Sequence, residues 1–318
     1  MGIASLEAAF AAASLPATLP RWFVLDLAVR GKLVEQDAED EPASELLKKI
    51  TAAKTKLRLK VSAIPHDTDE IPFLLPTGWH WTTVGEICSK TGSGSTPRGG
   101  KDVYKPSGVP FLRSQNVYDV GLRLNDVAFI DYETHQRMGS SKFLPRDLLL
   151  NITGGSMGRC CLVPDKFGEA NVSQHVSILR LAVRGTERFM HLLVRSPYFQ
   201  AFIFEEQTGA GRGGLPKNRM DNIAVALPPL AEQSRIVAKV AELMVLCDQL
   251  EAARAEREVA RGTFTLSTLA KLNTPNSETF GQDARFALAH LAPLARTGEA
   301  GQGRARRRSL RHRHRHGP

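Results

Sequence analysis

Cysteine is scarce in this chain. Four residues in 318, at positions 88, 160, 161 and 247, show no CxxC spacing, and two of them are adjacent. That pattern excludes a zinc ribbon or finger and a disulfide framework, and predicts reduced thiols in the core. Long apolar runs are also missing. No stretch of about 18 apolar residues occurs, so no membrane span is expected. The start, MGIASLEAAFAAASLP, lacks the basic and continuous apolar parts of a signal peptide, and the expected compartment is the cytosol. The usual catalytic signatures are absent too. The loop KTGSGSTPRGGK at 90–101 resembles a phosphate cradle, but Ser95 stands where a P-loop needs its first glycine and Asp102 follows Lys101. There is no base-methyltransferase tetrapeptide of Asn or Asp, two prolines and Tyr or Phe. Asp165 and Lys166 in VPDKF are too few groups for a magnesium-dependent nuclease. No serine stands near a His/Asp pair in a way that argues for a triad.

What remains is a two-domain length with 42% hydrophobic residues, enough to bury real cores. The net charge of +9 is unevenly spread. Residues 1–76 carry 9 basic and 11 acidic groups, 77–230 carry 18 and 13, 231–303 carry 8 and 9, and 304–318 carry 7 and none. The tail RARRRSLRHRHRHGP holds most of the excess and is expected to be disordered and without a native metal site. The rest of the excess lies in the middle segment, where a moderately basic surface could neutralise phosphates.

The chain's organisation follows from its periodicities. Helical spacing occurs in PRWFVLDLAVRGKLV. It recurs after Pro42, where Leu46, Ile50, Ala53 and Leu57 form a seam of about 3.5 residues. The proline-rich linker SAIPHDTDEIPFLLPTGW marks a boundary near 76. From 77 to 228, short apolar runs punctuated by glycine read as strands: GVPFLRSQNV, DVAFIDY, DLLLNITGG, RCCLVP, NVSQHVSILRLAV and NIAVALP. One helix, TERFMHLLVRSPYFQAFIFEE, interrupts them. The segment is α+β, without a βαβ rhythm or internal repeat. Pro228 and Pro229 stop the last strand and open a long helix in 229–298. In it Ile236, Val240, Leu243, Cys247 and Leu250 keep a four-three spacing, and Glu232–Arg235, Lys239–Glu242 and Glu251–Arg254 stand at pairing distance. A weaker helical pattern follows, and 299–318 form the basic tail. So narrow an apolar stripe calls for one partner helix, and the Leu46–Leu57 seam is the natural candidate. The expected fold is thus one mixed α/β domain flanked by long helices that pair as an antiparallel coiled coil.

The glycine loops suggest contact with DNA. TGAGRGGLPKNRM combines Arg212, Lys217, Asn218 and Arg219 with glycines that allow close backbone approach. Arginine can read guanine and asparagine adenine through paired hydrogen bonds. Arg98, Lys101, Arg113, Gln115, Asn116 and Gln174 are further candidates, being long polar side chains beside glycine loops or strand ends. A mobile surface loop is the bland alternative. His175, beside Gln174, reads equally well as a base-contacting or a hydrogen-bonded structural histidine.

Several stretches together resemble one family. PTGWHWTTVGEI, GSTP, GVPFLRSQNV, FLPRDLLLNITGGSMGRCCLVP, ANVSQHVSILRL and PPLAEQSRIVAKVAELMVLCDQLE are similar to a target-recognition domain and the following helix of the specificity (S) subunit of type I restriction-modification systems. DLAVRGKLVEQDAEDEPASELLKKI resembles that family's other helical region, so the likeness runs over roughly 20–290. The resemblance implies a non-catalytic subunit. Its recognition domain would read one half of a split double-stranded DNA target, and its helices would set the spacing and dock the modification (M) subunit and, through the complex, the restriction (R) subunit. S-adenosylmethionine, ATP and Mg would be used by those partners, and this chain itself would hold no cofactor. A complete member carries two recognition domains, and one is legible here. The expectation is therefore a truncated half-subunit that would form a homodimer to rebuild the two-part reader. The alternatives are an S-like module that binds M without reading DNA, and an autonomous DNA enzyme, which the missing motifs disfavour.

Overall fold

The computed structural model of the chain describes residues 21–59, 72–208, 214–273 and 278–290. It comprises two compact units that meet in sequence between Cys247 and Asp248. In the first unit the strands are β1 (His80–Thr83), β2 (Cys88–Ser93), β3 (Val109–Leu112), β4 (Val117–Tyr118), β5 (Gly121–Leu122), β6 (Ala128–Ile130), β7 (Lys142–Phe143), β8 (Leu148–Asn151), β9 (Cys160–Leu162), β10 (Ala170–Val172), β11 (Val176–Leu181) and β12 (Ala224–Leu227). Two four-stranded sheets run in the orders β6-β3-β10-β7 and β2-β11-β8-β9, with two small pairs, β1-β12 and β4-β5. Among the described residues only β3 and β10 pair in parallel; the other pairs are antiparallel.

The apolar run LLLN of β8 is buried throughout because both of its faces are covered. Side chains alternate across a strand, and here the alternation divides two cores. Leu148 and Leu150 enter a core with Phe189, Phe199 and Leu179, while Leu149 enters another with Phe143, Val172 and Ile178. The adjacent cysteines divide the same way, Cys160 into the first core and Cys161 into the second. All four cysteines are buried, as their spacing predicts, and Cys88, Cys160 and Cys161 are free thiols. Burial pushes the Cys161 thiol up to about 12, which leaves it protonated near neutral pH.

Two elements read as continuous are broken. The expected single helix from 186 to 206 divides at Ser196, leaving helices Glu187–Arg195 and Pro197–Thr208. Pro197 forces the residue before it out of helical geometry, and Ser196 lies at φ −70°, ψ 153°. Its hydroxyl then accepts a hydrogen bond from the Phe199 amide at 3.3 Å, serving the second helix. The alternating run from Asn171 to Val183 likewise becomes two strands in different sheets. A turn closed by Val176 N–H donating to the Ser173 carbonyl, 3.1 Å, separates β10 from β11 and leaves Gln174 and His175 exposed.

β1 pairs with β12, His80 opposite Leu227, so the chain enters and leaves the sheet region at one place. Immediately beyond, the long helix Leu230–Asn273 begins. Its first turn is gripped from three sides. Trp79 Nε1 donates to Glu232 Oε2 at 2.9 Å, Gln36 Nε2 donates to Glu232 Oε1 at 2.8 Å, and Arg235 forms an ion pair with Asp40. The expected Glu232–Arg235 pair is thus replaced by longer-range partners. Lys239–Glu242 forms as expected, at 2.9 Å.

Ile236, Val240 and Leu243 enter the same core as Leu46 and Ile50 of helix Ala43–Lys56. Helix Ala43–Lys56 is also tied to the sheet region: Lys54 Nζ is buried, donating to the carbonyls of Gly85 at 2.7 Å and Glu86 at 3.0 Å. Cys247 is buried, but Leu57 and Leu250 at the ends of the expected seam are 59% and 43% exposed. In the second unit the long helix continues to Asn273, and residues 280–290 are helical. Phe264 and Phe286 meet there at 5.8 Å between ring centres.

Candidate nucleic-acid interface

Four loops are drawn together where the two four-stranded sheets abut. They contain Gly94–Thr96, Ser114–Asn116, Ile152–Arg159 and Ser173–His175, and the segment after 213 joins them. The joins are made by the backbone. Gly94 N–H donates to Val176 O at 3.0 Å, Ser95 N–H to Val172 O at 3.3 Å, and Ser173 N–H to Leu112 O at 2.9 Å. Ile152 N–H donates to His175 O at 3.0 Å, and Leu215 N–H to Ile152 O at 2.8 Å. Two glycines are required by this proximity: a side chain at Gly94 would collide with the Val172 carbonyl, and one at Gly214 with Ile152 O and Thr153. Buried Asn151 ties in the remaining loop, donating to Ser114 O at 2.8 Å.

Over this frame lies a chain of polar side chains from three loops. Thr96 Oγ1 donates to Gln174 Oε1, Gln174 Nε2 meets His175 Nε2 at 3.1 Å, and His175 Nδ1 meets Thr153 Oγ1 at 2.6 Å. Thr96, Gln174 and His175 are exposed, and Thr153 is half-buried. Nearby, on β4, the ring of Tyr118 is approached by the guanidinium carbons of Arg123 at 3.8 Å and Arg159 at 4.7 Å, a double cation–π contact.

The sequence-predicted residues divide among these surroundings. Gln174 stands at the centre of the polar chain, and Arg98 is exposed in the loop that carries Thr96. Arg113 Nη2 donates to Asp126 O at 3.2 Å, and Gln115 Nε2 to the Asp126 carboxylate at 2.6 Å. Asn116 is fully buried: it accepts from Arg113 N–H at 2.9 Å and donates to Arg123 O at 2.9 Å. Its side chain holds the turn and does not face outward. Lys217, Asn218 and Arg219 are exposed on the short helix Lys217–Asp221. Lys217 Nζ donates to Thr91 Oγ1 at 2.7 Å and pairs with Asp221, and all three line a pocket of about 660 Å³ together with Lys54 and Lys90. Burial holds both of those lysines below the usual lysine range. Lys101 lies in the 3₁₀ turn Gly100–Val103, its side chain outside the described part, and Arg212 lies outside the described residues.

Sequence reasoning missed Thr96, Thr153 and the Tyr118 stack, and left His175 undecided. Positions 96, 153 and 174 are too far apart in the chain for any spacing rule to join them; the signal available was only that each follows or precedes a glycine or a strand end. No three His, Cys, Asp or Glu side chains converge in metal-binding fashion among the described residues, and no described helix is long and apolar enough to cross a membrane.

The fold and this edge define a mixed α/β module that presents polar loop ends and continues into a long helix. The chain belongs to the family described as the type I restriction modification DNA specificity domain, whose profile matches residues 76–259. Among its relatives, the specificity subunit of the type I restriction enzyme EcoAI of Escherichia coli is 32% identical over 246 residues, and that of EcoEI, also of Escherichia coli, 30% identical over 243. Each match covers 73% of this chain and 40% of the relative, so the chain spans about two-fifths of the length of these proteins. Among solved structures, the HsdS subunit from Thermoanaerobacter tengcongensis is 20% identical with a TM-score of 0.45, covering 72% of this chain and 51% of that one.

Proposed function

We propose that this chain is a non-catalytic specificity component of a type I restriction-modification enzyme. In this reading its loop edge binds one half of a split double-stranded DNA target, and its helices dock modification subunits. The observation that carries the reading is the convergence of separate loops, locked by backbone hydrogen bonds, beneath an exposed row of hydrogen-bonding side chains. Base edges in the major groove are read by such side chains, and precise positioning requires a frame that does not yield. Methyl transfer and ATP-driven cleavage would be performed by partner chains holding S-adenosylmethionine, ATP and magnesium. A split target takes two such modules, and light scattering of the DNA complex counts the copies that supply them.

The test is a gel shift on duplex DNA together with capture of the modification subunit. Binding is expected to weaken log-linearly with salt between about 50 and 200 mM, as counterion release requires. Arg98→Ala is expected to weaken binding evenly across sequences and to reduce the salt slope by about one. Salt-indifferent binding, or captured modification subunit with no sequence preference, would favour the rival reading of an S-like module that does not read DNA.

A further inference from the structure

Resting on the proposed DNA reading, we infer that Gln174 reads an adenine in one base pair of the half-site, and that His175, Thr153 and Thr96 are its positioning residues. The geometry fixes the hydrogen-bonding roles along the row. Thr96 donates to Gln174 Oε1, so the amide nitrogen of Gln174 is the atom turned to the His175 ring. An amide nitrogen only donates, so His175 Nε2 must accept, and the ring proton is on Nδ1. From there it is given to Thr153 Oγ1, 2.6 Å away. Each member is therefore oriented by the next, and the row ends on a half-buried threonine seated on the backbone frame.

What is left over points outward. Gln174 uses one amide hydrogen on His175 and one carbonyl lone pair on Thr96. Its second hydrogen and second lone pair remain for a ligand, on an amide that is exposed. One donor beside one acceptor in a plane matches adenine's major-groove edge, with N7 accepting and the N6 amino group donating. Guanine presents two acceptors there and does not match. A glutamine free to rotate could present either face, but the oxygen of this one is assigned by Thr96 from another loop and its nitrogen by His175, which Thr153 of a third loop orients in turn. Ser173 N–H on Leu112 O and Ile152 N–H on His175 O fix the turn that carries it.

The experiment is selection of the full chain on duplexes with a randomised window at fixed salt, followed by sequencing. The wild type is expected to return a half-site in which Gln174→Ala erases preference at one A·T pair, by roughly ten- to a hundred-fold, with other positions and the salt slope unchanged. Gln174→Glu replaces the donor with an acceptor and is expected to turn that position towards C·G, a gain that misfolding cannot imitate. His175→Ala and Thr153→Val should blur the same position and no other, with melting temperatures near wild type. A merely structural role would lower all positions together. An identical preference in the wild type, Gln174→Ala and Gln174→Glu overturns this inference and leaves the DNA reading standing. Loss spread evenly over all positions also overturns it, making Gln174 a scaffold or phosphate contact. A wild type that enriches no sequence defeats the DNA reading itself, and this inference with it.

Discussion

Asp147→Ala is expected to lower stability by about 3–5 kcal/mol, the usual cost of removing one partner from a buried, hydrogen-bonded ion pair. Asp147 is 2% exposed and holds three groups at once. Its carboxylate accepts from Arg180 Nε at 2.9 Å and Nη2 at 2.8 Å, a two-pronged geometry, and from Leu144 N–H at 2.7 Å. Alanine leaves the guanidinium, whose side chain is 28% exposed, facing Lys90 without the anion between them. Lys90 already sits below the usual lysine range through burial and the nearby Arg180 charge, and Asp147 is what offsets that repulsion. The loss is therefore more than one bond. Because Asp147 begins the turn into β8 and Arg180 lies on β11, the damage falls on the centre of the β2-β11-β8-β9 sheet. Urea unfolding checks this. A midpoint unchanged from wild type would show that the pair contributes nothing net. Asp147→Asn, which keeps an acceptor for the Leu144 amide, is expected to lose less.

The parts of this fold that were legible in the sequence are those set by local rules. Pro228 and Pro229 end β12 because neither can donate in a ladder, and the long helix starts directly after them with Glu232 in its first turn, where the helix dipole favours an acid. Short apolar runs became strands. The breaks at Ser196 and Ser173–His175 were not seen, for different reasons. Pro197 carried a local signal that the surrounding helical pattern outweighed. The β10–β11 turn has no such signal, since it exists only because the two halves of one alternating run are claimed by different sheets. The coiled-coil expectation concerns the tertiary level, which spacing alone does not reach. Leu46 and Ile50 are buried as their spacing predicts, in one core with Ile236, Val240 and Leu243, while Lys54 of the same helix is drawn into the Gly85 and Glu86 carbonyls, which no spacing rule announces. The candidate site was legible as a set of glycine-flanked polar residues and not as an arrangement. Asn116 and Gln174 look alike in sequence, yet one is buried holding a turn and the other stands exposed.

Glu232→Ala is expected to cost about 2–4 kcal/mol, because it takes the acceptor from two donors, stranding the Trp79 indole N–H and leaving Gln36 only the longer contact to Gly31 O at 3.4 Å. One of them, Trp79 Nε1, donates within a buried bond at the point where the chain enters the sheet region. The other, Gln36, belongs to the loop after helix Arg21–Val29. Glu232 thus fastens three separate stretches, GKLVEQD, PTGW and PPLAEQ, to one carboxylate. Glu232→Gln keeps the shape but offers one oxygen where two donors converge, and is expected to cost about 1–2 kcal/mol. The two variants also differ from wild type in pH dependence. Burial raises the Glu232 carboxyl above its ordinary value of 4.5, outweighing the hydrogen bonds from Trp79 and Gln36, which favour the charged form. With the folded value raised, the folded chain holds the proton more tightly than the unfolded one. The stabilisation carried by the protonated carboxyl is therefore complete below 4.5 and is lost as pH rises through the folded value. Glu232→Gln has no proton to release there, so its stability deficit relative to wild type should shrink as pH rises through that window. A deficit that stays constant from pH 4 to 7 would mean the carboxyl titrates alike in both states. Trypsin gives a local readout, since Arg30 and Lys32 adjoin the loop that Glu232 holds. Faster cleavage there in Glu232→Ala, with the Asp147–Arg180 sheet still resistant, would place the loss at the junction where the proposed docking helix leaves the recognition domain.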